Sequence, residues 1–306
     1  MNKVLIFGSS GLVGSAVKTI FESDEENYKI IAPLRNEVNL FSESETSNFI
    51  NNTKPNWIIN CAAKVGGILA NNTYRTEFLI ENLKINLNIL ESCIQNNNVN
   101  IINLGSSCIY PLNAENPIKE SSFMEGKLEP TNSPYAMAKI TAIEMGKELK
   151  YQYGNKVINL MPTNLYGPRD NFSEKDSHVI PGLISRMYKN IDKKFFEIWG
   201  SGKPLREFLF VNDLAKCIKF VMESDIDEDL INVGSGEEIS IENIAKLIAK
   251  KLNYKGELIF NTTFPDGNPR KLLDSTLIRS FGWKPITSLD EGLDRTIEWF
   301  LNSRLK

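Results

Sequence analysis

The chain has 306 residues, of which 42% are hydrophobic and 24% charged, and its formal net charge is −3. This length allows one large domain, or a cofactor domain with a smaller partner, and no apolar run approaches the ~18 residues of a membrane span. The balance of 35 basic and 38 acidic residues gives no electrostatic case for nucleic acid or an anionic membrane as a partner.

The cysteines and the histidine are too few and too scattered for a metal site or a disulfide framework. Cys61, Cys93, Cys108 and Cys217 contain no Cys-x-x-Cys pair, and His178 is the only histidine. A zinc site needs about four nitrogen or sulfur ligands in tight spacing. We therefore expect no metal, and the unpatterned cysteines favour a reducing cytoplasm.

The first half of the chain alternates short apolar runs with longer helical patterns. It opens directly on a strand-like run, so we expect no secretory signal. The predicted strands are 3–7, 29–32, 57–62, 100–104 and 156–161. The predicted helices are 12–22, 43–52, 77–97 and 134–153. This alternation predicts an α/β fold with a doubly wound parallel sheet of the Rossmann type, covered by helices on both faces.

Helix 77–97 carries an apolar stripe with a period near 3.6 residues. The stripe consists of Phe78, Leu79, Leu83, Leu87, Leu90 and Ile94.

The pattern loosens after about residue 165, where polar loops separate short strands and three or four helices, the last at 288–301. We expect a Rossmann domain at 1–165 and a smaller mixed α/β substrate lobe at 166–306, with the option that the chain crosses back to the sheet once. Ligands of open parallel sheets bind at the carboxyl ends of the strands, where such a lobe would sit.

Three glycines, Gly8, Gly11 and Gly14, lie between the first predicted strand and the first predicted helix. Glycine lets the backbone turn tightly and approach a pyrophosphate, whose charge meets the free N–H groups of the helix start. The strand–turn–helix context favours dinucleotide binding over a plain tight turn.

The end of the second predicted strand distinguishes between the nicotinamide cofactors. NAD sites usually place an acid there, whereas NADP sites supply an arginine. The chain reads IIAPLRN at 30–36, with no acid before Arg35. A guanidinium can hold a 2′-phosphate with two parallel hydrogen bonds, so we predict NADPH; the alternative is that Arg35 is a solvated loop charge.

Tyr135 and Lys139 are four residues apart, on one face of a predicted helix. A nearby ammonium stabilises a phenolate, so we expect the pKa of Tyr135 to lie below its usual value of about 10 and allow proton exchange near neutral pH. Such a pair also occurs by chance. The stretch 105–111 (GSSCIYP) adds small hydroxyls at the end of a predicted strand, where they would face the same cleft.

The glycine turn, Ser106 and the Tyr135–Lys139 pair together resemble the extended short-chain dehydrogenase/reductases. More narrowly, the chain is similar over nearly its whole length to the members of that family that epimerise and reduce GDP-4-keto-6-deoxymannose. The stretches that carry the narrower resemblance are 62–68 (AAKVGGI), 105–111 (GSSCIYP), 128–132 (LEPTN), 161–168 (MPTNLYGP), 170–172 (DNF), 177–181 (SHVIP) and 265–267 (PDG).

The resemblance implies conversion of GDP-4-keto-6-deoxy-D-mannose to GDP-L-fucose, by 3,5-epimerisation and then NADPH-dependent reduction at C4. In the implied triad, Tyr135 donates a proton to the C4 oxygen, Ser106 polarises the carbonyl, and Lys139 holds the ribose and tunes Tyr135. Cys108 and His178 are the implied epimerisation pair. Inversion of a ring carbon needs a base on one face and an acid on the other, and reference pKa values of about 8.5 and 6.5 let both residues cycle.

The resemblance also implies the binding residues and a homodimer formed through helices 77–97 and 134–153. The implied cofactor residues are Gly8, Ser10, Gly11, Leu12, Val13, Gly14, Arg35, Asn39, Leu40, Ala62, Ala63, Lys139, Pro162, Asn164, Leu165 and His178. The implied substrate residues are Ser107, Asn164, Arg186, Trp199, Arg206 and Lys271. Of these, Arg206 and Lys271 are implied to bind the diphosphate. Bacterial members often have a basic residue in the glycine turn, where this chain has two serines, so more of the NADPH preference rests on Arg35.

Other functions are open at this point. GDP-colitose synthesis from a 3,6-dideoxy ketone needs inversion at C5 only. A C4 reductase without epimerase activity is expected to lack Cys108 or His178, and both are present. A redox-neutral epimerase or dehydratase keeps the same fold. A cofactor-sensing binding protein on a catalytically dead fold is disfavoured, because Ser106, Tyr135 and Lys139 are all retained.

Overall fold

The structure is a computed structural model that describes residues 1–174, 176–264 and 266–304. Pro265, the first residue of the predicted stretch 265–267, lies outside the described residues. Within those ranges, no helix has both the length and the apolar character that crossing a membrane requires.

The described residues form twelve strands and ten α-helices. The strands are β1 (Asn2–Phe7), β2 (Tyr28–Ile31), β3 (Trp57–Asn60), β4 (Asn100–Leu104), β5 (Val157–Pro162), β6 (Asn164–Tyr166), β7 (Phe195–Trp199), β8 (Leu205–Phe210), β9 (Leu230–Val233), β10 (Glu238–Ser240), β11 (Glu257–Asn261) and β12 (Arg270–Lys271). The helices are α1 (Leu12–Glu22), α2 (Glu43–Thr53), α3 (Ile68–Thr73), α4 (Arg75–Glu91), α5 (Ser133–Tyr153), α6 (Val179–Lys189), α7 (Val211–Glu223), α8 (Ile241–Lys251), α9 (Thr276–Ser280) and α10 (Leu289–Ser303).

Six parallel strands form the main sheet, in the order β2-β1-β3-β4-β5-β9. Helices α1 and α7 cover one face, and α2, α4 and α5 cover the other. Alternate residues of one strand therefore enter different cores, as Val4 and Leu5 do, and both are fully buried. The predicted doubly wound α/β fold is confirmed. The strand order reverses between β1 and β3, where open sheets of this kind bind ligands at their carboxyl edge.

Helix α4 differs from its prediction in length and in the face that it buries. It ends at Glu91, not at residue 97. Its buried face contains Asn82, whose Oδ1 accepts from the Lys64 N–H at 2.9 Å, and Asn86, whose Oδ1 accepts from the Asn60 amide at 3.0 Å. These hydrogen bonds give both buried amide oxygens a partner. Three leucines of the predicted stripe lie on partly or largely exposed surface instead: Leu79, Leu83 and Leu87.

The smaller lobe is mixed α/β. Strand β8 pairs antiparallel with β10 and parallel with β12 and β6, and β7 pairs in parallel with β11. Helices α6, α8 and α10 close a separate apolar core whose large buried side chains include Tyr166, Phe196, Phe210 and Phe300.

Three elements within 166–306 belong to the main sheet layer. Helix α7 packs beside α1, β9 pairs with β5 from Asn159–Leu230 to Pro162–Val233, and Ile278 of α9 enters the same core as α1 and α7. The chain therefore enters the lobe after β5, returns to the sheet for α7 and β9, and returns again for α9 before α10 completes the lobe.

Candidate active site

The glycine turn joins β1 to α1 so closely that side chains have no room. Gly8 has a φ of +76°, and a Cβ there would lie 2.7 Å from the Ala62 nitrogen. A Cβ on Gly14 would collide with the carbonyl oxygen of Gly8. Gly11 is the N-cap of α1 and brings no capping side chain. The N–H groups of the first helical turn are therefore available to an anion.

A cleft of about 480 Å³ opens at the carboxyl ends of β1, β2 and β3. It brings together eight of the predicted cofactor residues: Gly8, Ser10, Gly11, Arg35, Asn39, Leu40, Ala62 and Ala63. The Ser9 hydroxyl lies 3.4 Å from the carbonyl oxygens of both Ala32 and Pro33, which accept its hydrogen bond. Arg35 is the cationic side chain among the residues that line this cleft.

The other predicted cofactor residues do not line that cleft. Leu12, Val13 and Gly14 form the first turn of α1. Lys139 lies in α5, Pro162 ends β5, Asn164 and Leu165 belong to β6, and His178 directly precedes α6.

Ser106, Tyr135 and Lys139 are linked at the end of β4. Ser106 Oγ accepts from the Cys108 N–H at 3.4 Å and caps a short 3₁₀ turn. Lys139 is only 3% exposed, and its Nζ donates to the carbonyl oxygen of Leu104 at 2.7 Å. The same nitrogen lies 5.7 Å from the centre of the Tyr135 ring. The Leu104 carbonyl was not predicted, because a backbone acceptor leaves no signal in the sequence.

The pKa values of the tyrosine and the lysine are both shifted by their surroundings. Burial raises the pKa of Tyr135, and the nearby charge of Cys108 acts in the same direction. The expected lowering is wrong, because burial of the phenol disfavours its charged form. Burial also lowers the pKa of Lys139 to about 8. A phenol that stays protonated at neutral pH is suited to donating a proton.

Cys108 and His178 belong to different lobes. Cys108 is buried in the 3₁₀ turn after β4. Burial raises the pKa of its thiol, whereas the charge of Lys271 and a hydrogen bond with Ser106 act to lower it. His178 precedes α6 and reaches solvent, although surrounding protein lowers the pKa of its imidazole. Among the described residues, no hydrogen bond joins the Cys108 thiol to the His178 imidazole.

Arg206 and Lys271 are neighbours across the paired strands β8 and β12, so their side chains lie on the same face. Burial lowers the pKa of both groups, and the charge of Arg206 lowers that of Lys271 further. Two adjacent and partly desolvated cations can bind a diphosphate. Because the charge of Lys271 also acts on the Cys108 thiol, these cations adjoin the cluster of Ser106, Cys108, Tyr135 and Lys139.

Trp199, at the end of β7, has a ring partner that the sequence did not indicate. Its ring stacks on that of Phe264, with centroids 4.9 Å apart and planes 19° apart. The guanidinium of Arg186, from α6, lies 4.8 Å from the centre of the Trp199 ring. Phe264 directly precedes the predicted stretch 265–267, which is the only sequence signal that could have indicated it.

The remaining predicted substrate residues are Asn164 and Ser107. The Asn164 amide nitrogen donates to the backbone carbonyl of Glu207 at 2.8 Å, and this bond fixes the direction of the amide. Ser107 is buried in the 3₁₀ turn beside Cys108. Glu207, which the sequence analysis did not single out, is fully buried.

A second cavity, of about 590 Å³, lies between β8, β10 and the segment 284–289. None of the predicted site residues lines it. The glycine-turn cleft and the surface around Cys108 and Lys271 therefore hold the candidate chemistry.

The model of the NAD dependent epimerase/dehydratase family matches residues 4–234. The chain is 43% identical to the putative GDP-L-fucose synthase 2 of Arabidopsis thaliana, over 98% of this chain and 92% of that protein. It is 41% identical to the GDP-L-fucose synthase of Escherichia coli strain K12, over 99% of this chain and 97% of that protein. It is 36% identical to the GDP-L-colitose synthase of Yersinia pseudotuberculosis, over 99% of both.

Among solved structures, the chain is similar to a GDP-L-fucose synthetase from Naegleria fowleri bound to NADP. The TM-score is 0.91 at 28% sequence identity, covering 100% of this chain and 95% of the other.

Proposed function

The chain belongs to the NAD dependent epimerase/dehydratase family, and within it we propose that this protein converts GDP-4-keto-6-deoxy-D-mannose to GDP-L-fucose with NADPH. Epimerisation at C3 and C5 comes first, and reduction of the C4 ketone follows. The observation that carries the proposal is the joint placement of Ser106, Cys108, Tyr135 and Lys139 around the end of β4. It is supported by the relatives named as GDP-L-fucose synthases, at 41% and 43% identity.

The glycine-turn cleft fits NADPH. Its glycines leave room for a pyrophosphate beside the start of α1. Arg35 is exposed at the rim and has no ion pair within the described residues, while the Glu37 carboxylate accepts from the Leu34 N–H at 2.6 Å. Arg35 is thus free to pair with a 2′-phosphate.

Replacing Arg35 tests this assignment. Arg35→Ala is expected to weaken NADPH binding about tenfold or more, because it removes a charge-assisted pair, and to leave NADH binding unchanged. Titration of both cofactors into the purified protein measures the two constants. An equal loss for NADH would contradict a contact with the 2′-phosphate.

Reduction requires a proton for the C4 oxygen while NADPH, when bound, supplies the hydride. Tyr135 donates that proton from its phenol oxygen. Ser106 donates a hydrogen bond to the same ketone oxygen and stabilises its developing negative charge. The ammonium of Lys139, held by the Leu104 carbonyl, stabilises the phenolate that remains.

Epimerisation uses the acidity of the protons beside a ketone. Cys108 and His178 act from opposite faces of the sugar ring. One removes the proton from C3 or C5, and the other donates a proton to the same carbon from the opposite face. The partly exposed His178 exchanges protons with solvent. Arg206 and Lys271 bind the diphosphate and so fix the sugar between the two residues.

The test is incubation of the purified protein with NADPH and GDP-4-keto-6-deoxy-D-mannose, followed by absorbance and by NMR of the product. GDP-L-fucose is the expected product. A GDP-6-deoxyhexose with unchanged C3 and C5 would retain the reductase and remove Cys108 and His178 from the mechanism.

GDP-L-colitose synthesis is the second candidate, because the Yersinia protein named for it matches over 99% of both chains. Its ketone lacks the C3 hydroxyl and needs inversion at C5 alone. Turnover of the 3,6-dideoxy ketone with none of the 6-deoxy ketone would replace the first assignment by this one.

The division of labour between the lobes follows from this function. We assign cofactor binding to 1–165 together with α7 and β9, and sugar-nucleotide binding to the rest of 166–306. The four cysteines are all unpaired, as they would be in a reducing cytoplasm, where we place the reaction. We also propose a homodimer through α4 and α5.

A further inference from the structure

The stack of Arg186, Trp199 and Phe264 forms an aromatic surface beside the predicted nucleotide site. The Arg186 guanidinium lies 4.8 Å from the centre of the Trp199 ring, and the Phe264 ring stacks on it at 4.9 Å. Both groups therefore pack against the indole, which is 44% exposed.

A planar base cannot enter between Trp199 and Phe264 as they stand. Their centroids are 4.9 Å apart, whereas a base between two rings requires about twice the ~3.5 Å contact distance of stacked carbons. The Phe264 side chain is nevertheless 40% exposed. The ring face that points away from Trp199 is the one that remains open for stacking.

The loop that carries Phe264 is fixed on both sides. The Asp266 carboxylate accepts from the Ser201 N–H at 2.8 Å and from the Ser201 hydroxyl at 2.6 Å. Strand β11 pairs with β7 up to Asn261 and Trp199. Phe264 is thus flanked in sequence by Asn261, which belongs to the strand paired with β7, and by Asp266, which is bound to Ser201.

The same loop leads from the stack to the predicted diphosphate site. A Cβ on Gly267 would lie 3.1 Å from the Arg206 guanidinium. Gly267 follows Phe264 by three residues, a separation of about 10 Å at most. A nucleoside can bridge that separation, with its base at Phe264 and its phosphates at Arg206.

We propose that Phe264 provides the surface on which the purine base of the nucleotide-sugar substrate stacks, and that Trp199 supports it from behind. This inference rests on the proposed function, because it takes a nucleoside diphosphate as the ligand. Stacking on an aromatic side chain adds affinity and little base discrimination, because every base has a π-face. Trp199, predicted to line the pocket, then acts as a positioning residue.

The experiment titrates GDP into the protein saturated with NADPH, for the wild type and three variants at position 264. Phe264→Leu keeps the apolar volume and removes the ring, Phe264→Ala removes both, and Phe264→Tyr keeps the ring. GDP is expected to bind roughly 5- to 100-fold more weakly to the first two variants and within about twofold of wild type to the third. Inorganic pyrophosphate, which has no base, is expected to bind all four proteins alike.

Phe281→Leu is the matched control, because Phe281 is 38% exposed and takes no part in the stack. Wild-type GDP affinity in Phe264→Leu would overturn the inference and leave the proposed function intact. Weakening of pyrophosphate together with GDP would overturn it as well, because the loop alone would then be responsible. Failure of the wild-type protein to bind GDP would instead remove the proposed substrate class.

Discussion

Lys139 is a buried lysine whose proton is held weakly. Desolvation lowers its pKa to about 8, and its ammonium donates a hydrogen bond to the Leu104 carbonyl. Below that pH the ammonium is present beside Tyr135, and above it the charge is lost. The proposed reduction therefore depends on the protonation of Lys139, although Lys139 does not donate its proton to the substrate.

The kcat/KM of the reduction is expected to fall as the pH rises through about 8, because Lys139 loses its charge there. This parameter reports the ionisation of groups in the free enzyme. A pH series of kcat/KM with the keto sugar measures this fall. Lys139→Arg is the comparison, since a guanidinium stays protonated; its residual activity should be flat from pH 7 to 9. The same alkaline fall in this variant would show that another group titrates.

Cys108 can be separated from the reduction triad by isotope exchange. Cys108→Ser is expected to bind NADPH like the wild type and to exchange the C3 and C5 protons with deuterated water about 100-fold more slowly or worse, because it loses a catalytic acid or base. NMR of the recovered keto sugar gives the rates. Cys61→Ser is the control, since Cys61 is a second enclosed thiol near Lys139. Unchanged exchange in Cys108→Ser would exclude this thiol from epimerisation.

At the level of elements, Glu207 ties three segments of the two lobes together. It lies in β8, and its carboxylate accepts from the Gly236 N–H at 2.7 Å and from the Leu273 N–H at 3.1 Å. The first bond reaches the loop after β9, and the second reaches the chain just beyond β12. Burial raises the pKa of this carboxyl, and the two N–H groups oppose the effect.

Glu207→Gln is expected to reduce the free energy of unfolding by about 1–3 kcal/mol. The amide NH₂ cannot accept, so either the Gly236 N–H or the buried Leu273 N–H loses its partner. Urea unfolding of wild type and variant gives the difference. Glu237→Gln, at an exposed carboxylate in the same loop as Gly236, should leave the stability unchanged. An equal loss in both variants would mean that the buried hydrogen bonds contribute nothing specific.

Elements with a strong local pattern could be predicted from the sequence. The unit of β1, glycine turn and α1 was predicted because apolar run, glycines and helix follow one another within 22 residues. The buried face of α4 was not, because it depends on asparagine bonds to Lys64 and Asn60, which are distant in sequence. Hydrophobic periodicity alone predicted instead that Leu79, Leu83 and Leu87 belong to the buried stripe.

The candidate site shows the same division between local and long-range signals. The residues of the glycine-turn cleft come from short motifs after three neighbouring strands, so a motif search finds them. The stack of Trp199 and Phe264 depends on the parallel pairing of β7 with β11, which no local pattern encodes. The raised pKa of Tyr135 also follows from three-dimensional enclosure rather than from its spacing to Lys139.

For the whole molecule, α4 and α5 present apolar surface that the single chain leaves uncovered. Ile80 is 45% exposed, Leu87 37% and Met137 47%. The two helices pack side by side, so the three side chains can contribute to one face. Apolar surface of this kind favours association with a second copy.

Ile80→Glu combined with Met137→Glu is expected to convert the proposed dimer to a monomer. Each carboxylate would be buried without a partner, at a cost of several kcal/mol, so the dimer dissociation constant should rise at least about 100-fold. Sedimentation velocity over a concentration series measures it. Ile286→Glu places the same charge on a residue that is 67% exposed outside these helices and should have no effect. A double variant that sediments like the wild type would place the interface elsewhere.

The return of the chain to the main sheet has a consequence for the order of folding during synthesis. Strand β5 ends at Pro162, and its outer neighbour β9 begins only at Leu230. A growing chain that has released the first five strands still exposes the backbone N–H and C=O groups along one side of β5. Open strand edges of this kind pair readily with other chains. The nascent protein keeps that edge until β9 itself has left the ribosome, so protection from aggregation comes late in translation.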